Sequence, residues 1–339
     1  MSRRYLITGA QGLVGRYLTA RILDVEKDAE VVGIGRSKEI DGFTHAFSTR
    51  GGERGAPLPA HLRASLDERH RYLRLSLLET ARLQELIREL RPHCIFHLAS
   101  ALHTAPERDL VETNIEGTAS LMNAVAGAQG SKALVILGSS GSVYGDPLSL
   151  PIRESDPCSP SDFYGVTKLT AEHVTRIKAA RGGFAFIAAR IFNVVGPGQN
   201  ESHVCGRFAA QLASASSRHL VLEAGALETT RDFIDVRDVA AALMLIAHRG
   251  ERGGAYNLAS GCETPIQQIL SELIRVSGLN VEIAQRKDLP AGVRRHFADV
   301  SRLQQLGFVP RYPIRESLHD LFRYHQALRV DRSPPQLPA

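Results

Sequence analysis

Across residues 1–200, short apolar runs alternate with stretches in which apolar side chains recur every three or four positions. YLIT (5–8), EVVGIG (30–35), RYLRL (71–75), CIFHLA (94–99), ALVILGSS (133–140) and FAFIAARIF (184–192) are almost continuously apolar, as strands covered on both faces must be. Helical periodicity occupies 12–25, 79–90, 108–128 and 161–181. This alternation predicts an α/β fold built on a doubly wound parallel sheet. Residues 37–70 break the rhythm with STRGGERGAPLPAHLRASLDERHR, whose Gly, Arg and Pro content predicts a mobile surface excursion. After residue 193 the texture changes. VVGPGQNESH reads as a loop, 203–216, 236–249, 264–277 and 313–328 as helices, and VLEA, YNLA and VEIAQ as short strands. These pieces are expected to form a smaller C-terminal α/β lobe over the carboxyl edge of the sheet, where such folds bind ligands.

Composition narrows the classes. The 339 residues are 43% hydrophobic and 23% charged, ordinary for a globular chain. No apolar run approaches the length of a membrane span, and MSRRYLITGA passes straight from two arginines into a strand, so neither a span nor secretion is expected. The net charge of +5 is spread along the chain, which argues against a nucleic-acid face and fits small anionic ligands better. Cys94, Cys158, Cys205 and Cys262 stand apart without CxxC spacing or His partners, so no metal site or disulfide is predicted and a cytoplasmic location is expected.

The turn after the first strand reads TGAQGLVGRYL. Gly9, Gly12 and Gly15 permit a tight turn, a close approach of backbone to pyrophosphate, and tight helix–sheet packing. The free amides and dipole of the following helix then favour the phosphates of a dinucleotide. The second strand ends GIGRS, with Arg36 and Ser37 where an NAD site usually offers an acidic side chain to the ribose. Arginine can fork onto a 2′-phosphate, so NADP(H) is favoured over NAD(H). In the alternative reading Arg36 is a solvated strand-end charge and NAD binds.

SPSDFYGVTKLTAEHVTRIKAA opens with cap-like Ser159, Ser161 and Asp162 and continues as a helix whose buried stripe is read as Val166, Leu169, Val174 and Ile177. Tyr164 and Lys168, at i and i+4, emerge on one face. A phenol with a reference pKa of about 10 is a poor base near neutrality. A neighbouring ammonium favours the phenolate and tunes it for proton transfer.

Together with HLAS (97–100), NIEGT (114–118), RIFNVVGPGQ (190–199), RDFIDVRDV (231–239), YNLASG (256–261) and ADVSRLQQLGFVP (298–310), these motifs make the chain resemble the extended short-chain dehydrogenase/reductases, specifically the nucleotide-sugar epimerase/dehydratase family, over nearly its whole length. The resemblance implies a Rossmann-type NADP-binding domain over 1–193 with returning segments at about 231–260, a substrate lobe over 194–230 and 261–330, and a flexible tail at 331–339. It places Leu13 and Val14 of the Gly-rich turn, Leu98, Ala99, Ser100 and Ile191 along the cofactor. Ser76 and Leu77 would meet the adenine, with Ser76 standing where the family often has an aspartate. Asn193 and Arg231, and more weakly Arg286, would hold the diphosphate of a nucleotide-sugar, with Ser142 beside the sugar. For Arg231 the competing reading is an ion pair with Asp232 or Asp235. His103 and His203 read as loop or pocket wall. The resemblance also implies a homodimer through a four-helix bundle of 108–128 and 161–181.

In this family the residue four positions before the tyrosine of VYG polarises the reacting oxygen, here Ser140 in GSSGSVYG (138–145). Tyr144 then reads as structural. Ser140, Tyr164 and Lys168 form a catalytic trio that would serve reductases, epimerases and dehydratases alike. Dehydratases place a carboxylate directly after the serine, and the epimerase-reductases that make GDP-fucose place a cysteine there. Gly141 and Ser142 occupy those positions, which disfavours both chemistries. The closest resemblance is to GDP-4-keto-6-deoxymannose reductases. The expected activity is NADPH-dependent reduction of the 4-keto group of a nucleotide-linked 4-keto-6-deoxyhexose, GDP-linked in preference to TDP or UDP. A nucleotide-sugar 4-epimerase is the enzymatic alternative, and a non-catalytic NADP-sensing protein the alternative of another class.

Overall fold

The computed structural model describes residues 3–37, 45–49, 52–59, 62, 67–128, 132–285 and 292–330. The chain runs β1 (Arg4–Thr8), α1 (Leu13–Val25), β2 (Glu30–Gly35), β3 (His45–Thr49), β4 (Gly52–Ala56), β5 (His70–Arg74), α2 (Thr80–Leu90), β6 (Cys94–His97), a helical run α3 (107–127), β7 (Leu134–Ser140), α4 (Phe163–Gly182) and β8 (Ala185–Ile191). Then come β9 (Asn193–Val195), α5 (Val204–Ala213), β10 (His219–Ala224), β11 (Thr230–Asp235), α6 (Val236–Arg249), β12 (Ala255–Leu258), β13 (Glu263–Pro265), α7 (Ile266–Ser277), β14 (Asn280–Gln285), β15 (Arg295–His296), α8 (Ser301–Gln305) and α9 (Ile314–Val330).

Seven strands form one sheet in the order β12-β8-β7-β6-β1-β2-β5, each pair parallel. Strand side chains alternate between faces, and both faces are covered, which is why the strands read as unbroken apolar runs. Tyr5, Ile7, Val31, Phe96, Ile136 and Ile187 share a core with α1 and α6, whereas Leu6, Val32, Ile95, Val135 and Phe186 share another with α2 and α3. The strand order reverses between β1 and β6, so the carboxyl ends of those two strands flank the crevice where a doubly wound sheet binds its ligand.

The C-terminal elements supply a further core. Phe208 and Leu212 of α5, Phe233 of β11, Ile269 and Leu273 of α7, and Leu321 and Phe322 of α9 pack together. VVGPGQNESH begins as a strand rather than wholly as a loop, since Val194 and Val195 pair with Ile234 and Asp235 of β11. A smaller cluster of Val143, Tyr144, Ile152, Phe192 and Val300 sits behind the end of β7. There the Tyr144 hydroxyl donates to Asn257 Oδ1 at 2.7 Å, the structural place read for it.

Helix α4 buries the expected stripe only in part: Leu169 and Val174 are half-buried, Leu169 against the cluster behind β7. Gly165, Thr167, Lys168, Ala171, Glu172, Thr175 and Ala179 face inward, while Val166 and Ile177 are 42% and 51% exposed. Small residues let α4 approach its neighbours closely, and the helix turns Lys168 toward Ser100 after β6 and Glu172 toward Ser139 of β7. Apolar periodicity assigns a helix's buried face correctly only when that face is not the functional one.

The excursion after β2 contains the antiparallel pair β3–β4. Most of the remainder of 37–70 lies outside the described residues. Its described ends are fastened: Arg16 of α1 donates to the Ala56 carbonyl, Tyr324 of α9 to the Pro57 carbonyl, and Arg69 to the carbonyls of Leu23, Glu26 and Lys27 at the end of α1.

Candidate active site

The turn between β1 and α1 is drawn tight by its glycines. Gly9 has φ of 68°, and a Cβ on it would lie 2.7 Å from the Ala99 backbone nitrogen. A Cβ on Gly15 would lie 2.8 Å from Ala10 Cα. Helix α1 therefore starts directly against the strand ends, at a residue with no side chain to cap it. Beside it Gln11 is buried, and neither its Oε1 nor its Nε2 has a partner among the described residues. Uncapped helix amides and an orphaned amide side chain are what a bound pyrophosphate would satisfy, so these residues fit a dinucleotide. The glycine spacing signals the turn but carries no mark of Gln11, because burial of that side chain is set by the packing of the turn.

From this turn a cleft of about 230 Å³ opens between Arg36–Ser37, Ser76–Leu78 and Glu112–Thr113. Gly9, Gly12, Arg36, Ser37, Ser76, Leu77, Ala99 and Ser100 border it. Leu13, Val14, Leu98 and Ile191 instead pack against the core behind it, and Gly15 lies within α1. Ser76 Oγ accepts from the Leu78 amide at 3.3 Å. The Arg36 side chain is 64% exposed, and its Nη1 lies 3.8 Å from Glu112 Oε1 across the cleft. Tyr72 donates to the Ser37 carbonyl and Arg74 Nε to the Arg36 carbonyl, both at 2.9 Å, which fixes the backbone at the end of β2. Glu112 was invisible as a cleft residue in the sequence, since it reaches Arg36 from a different element.

Deeper in the crevice the structure brings Ser140, Tyr164 and Lys168 together. Ser140 ends β7 and accepts from the Ser142 amide at 3.2 Å, starting a short helical turn over Gly141–Tyr144. Asp162 caps α4, accepting from the Gly165 amide at 2.6 Å, and so aims the first turn that carries Tyr164. The hydroxyls of Ser100 and Ser140 neighbour the Tyr164 phenol, and Lys168 Nζ donates to Ser100 Oγ at 3.4 Å. Ser100 in turn donates to Asn114 Oδ1 at 3.0 Å, and Asn114 Nδ2 donates to Thr167 Oγ1 at 3.0 Å.

Asn114 belongs to a π-helical turn, Val111–Glu116, set between the regular pieces Glu107–Leu110 and Gly117–Gly127 of α3. Such widened turns are frequent at functional sites, and this one turns a helix-interior asparagine toward the site. NIEGT marked the segment, but no periodicity could signal the widened turn.

Burial lowers Lys168 to a pKa of about 8, opposed by the nearby Glu172 carboxylate. Burial raises Tyr164, and the hydroxyls of Ser100 and Ser140 pull it back.

His103 stacks edge-on to Tyr164 at 6.4 Å between ring centroids, and His203 lies 5.8 Å from His103. Both therefore form the wall beside the phenol. His296 lies against Gly141 and packs on Phe192 at 5.1 Å. Burial holds His203 and His296 at pKa values of about 4, so both are neutral near pH 7. Of the three, only His296, far along the chain, was absent from the sequence reading.

On the lobe side, Asn193 Nδ2 donates to the Asp232 carbonyl at 2.9 Å. Arg231 Nη1 donates to the Thr230 carbonyl at 2.7 Å, and the guanidinium has no carboxylate partner among the described residues. Asp232 is occupied by Ser260, Gly261 and Ala298, and Asp235 by Arg237 and Ser317, so the competing ion pair does not form. Ser142 Oγ accepts from Ser140 Oγ at 3.3 Å. Arg286 lies outside the described residues.

No helix among the described residues is long and apolar enough to cross a membrane. The GDP-6-deoxy-D-mannose reductase of Pseudomonas aeruginosa is 31% identical over 94% of this chain and 95% of its own length. The UDP-glucose 4-epimerase of Streptomyces lividans is 26% identical over 96% and 97%. Among solved structures, RMD from Pseudomonas aeruginosa complexed with NADPH superposes with a TM-score of 0.77 at 28% identity, covering 96% of this chain and 99% of that one. The family model described as "NAD dependent epimerase/dehydratase family" matches residues 5–259, and with the glycine-built cleft, the Rossmann-type sheet and the 31% relative it follows that this chain is a member of that family, an enzyme of the nucleotide-sugar-modifying kind.

Proposed function

We propose that the protein is an NADPH-dependent 4-ketoreductase of a nucleotide-linked 4-keto-6-deoxyhexose, GDP-linked in preference to TDP or UDP. Gly141 carries this reading. A Cβ there would meet His296 Cε1 at 3.1 Å and the Phe192 ring at 3.2 Å, so the position directly after Ser140 is walled in as well as chemically mute. Dehydration needs a titrating group at that point, and hydride transfer at one carbon does not.

When bound, NADPH supplies the hydride. Ser140 Oγ donates to the carbon-4 carbonyl and polarises it. Tyr164, protonated in its buried setting, gives its proton to the new alkoxide. Lys168 holds a positive charge beside Ser100 and the phenol, and Asn114 anchors Ser100. Arg231, free of carboxylates, binds the diphosphate with help from Asn193. The preference for NADPH is supported by Arg36 and by the missing acid at the end of β2. The exposed Val166 and Ile177, on the outer face of α4, support a homodimer through α3 and α4. Four free thiols support a reducing, cytoplasmic location.

The test supplies GDP-4-keto-6-deoxymannose and follows NADPH absorbance, with stoichiometric loss expected. Similarity to a UDP-glucose 4-epimerase favours a second reading, in which UDP- or GDP-hexoses interconvert without net cofactor loss; that result replaces the first. If neither occurs while NADPH binds, the protein is a dinucleotide sensor.

A further inference from the structure

Behind the catalytic cluster lies a buried ion pair that packing alone does not require. Glu172 is 4% exposed and Arg190 7%. Arg190 grips the carboxylate with both arms of its fork, Nη2 to Oε2 at 2.9 Å and Nε to Oε1 at 3.1 Å. Replacing such a pair by apolar residues is often neutral or stabilising, so its presence calls for another reason. Its partners supply one. Ser139, adjacent to Ser140, donates to Glu172 Oε1 at 2.5 Å. Arg190 Nη1 donates to the Tyr144 hydroxyl at 2.9 Å, at the far end of the turn that Ser140 begins. On α4, Glu172 follows Lys168 by one helical turn, as Lys168 follows Tyr164, so all three share a face.

We propose that the Glu172–Arg190 pair is a positioning element for this site, clamping the strand end that carries Ser140 onto α4, and that within it the Glu172 carboxylate holds Lys168 in its ammonium form against the opposing charge of Arg190. The surrounding groups leave that electrostatic role to the carboxylate. His97, on the β6 side of Lys168, is held neutral by burial. Asp162 acts on Tyr164 and His103 rather than on Lys168. Toward Glu172, burial keeps Tyr144 and Cys158 protonated, which leaves Arg190 as its counter-ion. The Glu172 charge opposes the desolvation of Lys168.

This inference rests on the reading of Ser140, Tyr164 and Lys168 as catalytic, but its test needs no substrate and is independent of which sugar is reduced. Lys168 is titrated by NMR in full-length protein carrying lysine labelled with 13C at Cε, its signal assigned with Lys168→Arg. The wild type is expected to titrate near pH 8. Glu172→Gln should lower that midpoint by about one unit or more, and Arg190→Gln should raise it, because deleting charges of opposite sign acts oppositely on the ammonium. Ser139→Ala keeps both charges and should leave the midpoint at the wild-type value. The two charge variants are independent, so failure of one to fold leaves the other to decide. An unmoved midpoint in the folded charge variants, shifts of one sign in both, or an equal shift in Ser139→Ala overturns the proposal.

Discussion

Lys168 Nζ donates to the Ser100 hydroxyl over 3.4 Å. The lysine thus meets the site through a relay that runs from Ser100 to Asn114 and on to Thr167. Proton chemistry here is expected to depend on a chain of hydroxyls and an amide as well as on the charged pair one turn apart.

Replacing Tyr164 by Phe removes the proton donor and leaves the ring. Turnover should fall by roughly 10²–10⁴-fold. NADPH affinity, read by fluorescence titration, should stay within a few-fold of wild type. Retention of most of the turnover would remove Tyr164 from its proposed role.

Asn114→Ala strips Ser100 and Thr167 of a shared partner inside a buried network. Stability in urea should drop by about 1–3 kcal/mol, the cost of leaving buried polar groups unpaired. Turnover should fall with it, and addition of NADPH should not restore it. A variant with wild-type stability and turnover refutes the relay.

Arg36 and Glu112 should set cofactor preference in opposite directions. Arg36→Ala should weaken NADPH binding about tenfold or more and leave NADH unchanged, since a charge-assisted bond to a phosphate is lost. Glu112→Gln should tighten NADPH only a few-fold, because the pair at 3.8 Å is exposed and weak. Parallel titrations with both dinucleotides decide the matter; equal changes for the two refute the 2′-phosphate assignment.

Buried histidines predict acid lability. His97, His296 and His325 have folded pKa values of about 3, 4 and 4, below the ordinary 6.5, chiefly through burial. The unfolded chain therefore binds more protons than the folded one between pH 6.5 and 4. Stability is full above the unfolded value and is lost as pH falls toward the folded ones, by on the order of 3 kcal/mol per histidine at the acid end. Urea melts at pH 7, 6, 5 and 4 should show this decline, and a flat profile would contradict it.

Ile177 is 51% exposed on the outer face of α4. If α3 and α4 form the dimer contact, Ile177→Asp should give a monomer by light scattering while the unmutated chain is a dimer. Two monomers, or two dimers, would count against that contact.

The sheet was legible because both its faces are buried: EVVGIG reads as a strand and is one, residue for residue, as β2. Helix α4 was legible as a helix but not in its orientation, because the inward face carries Lys168 and Glu172 while Val166 points out. The cleft glycines could be read from spacing, since only glycine fits 2.7 Å from the Ala99 backbone. Glu112 and His296 could not, because each enters the site through the meeting of distant segments, and Gln11 lies in the turn itself without a sequence mark of its burial. Arg190 and Glu172, eighteen positions apart in sequence, were equally hidden: as single residues, they look like an exposed strand end and an ordinary helix surface.

Strand β12 has a consequence for how the chain is made. It completes the central sheet against β8, pairing Leu258 with Ile191, and its Asn257 takes the Tyr144 hydroxyl behind Ser140. On a ribosome, the first 200 residues emerge with β8 as an open edge and with the turn after Ser140 unsupported. Such an edge can pair with another nascent chain, so this protein is exposed to misassembly until residue 258 has cleared the exit tunnel.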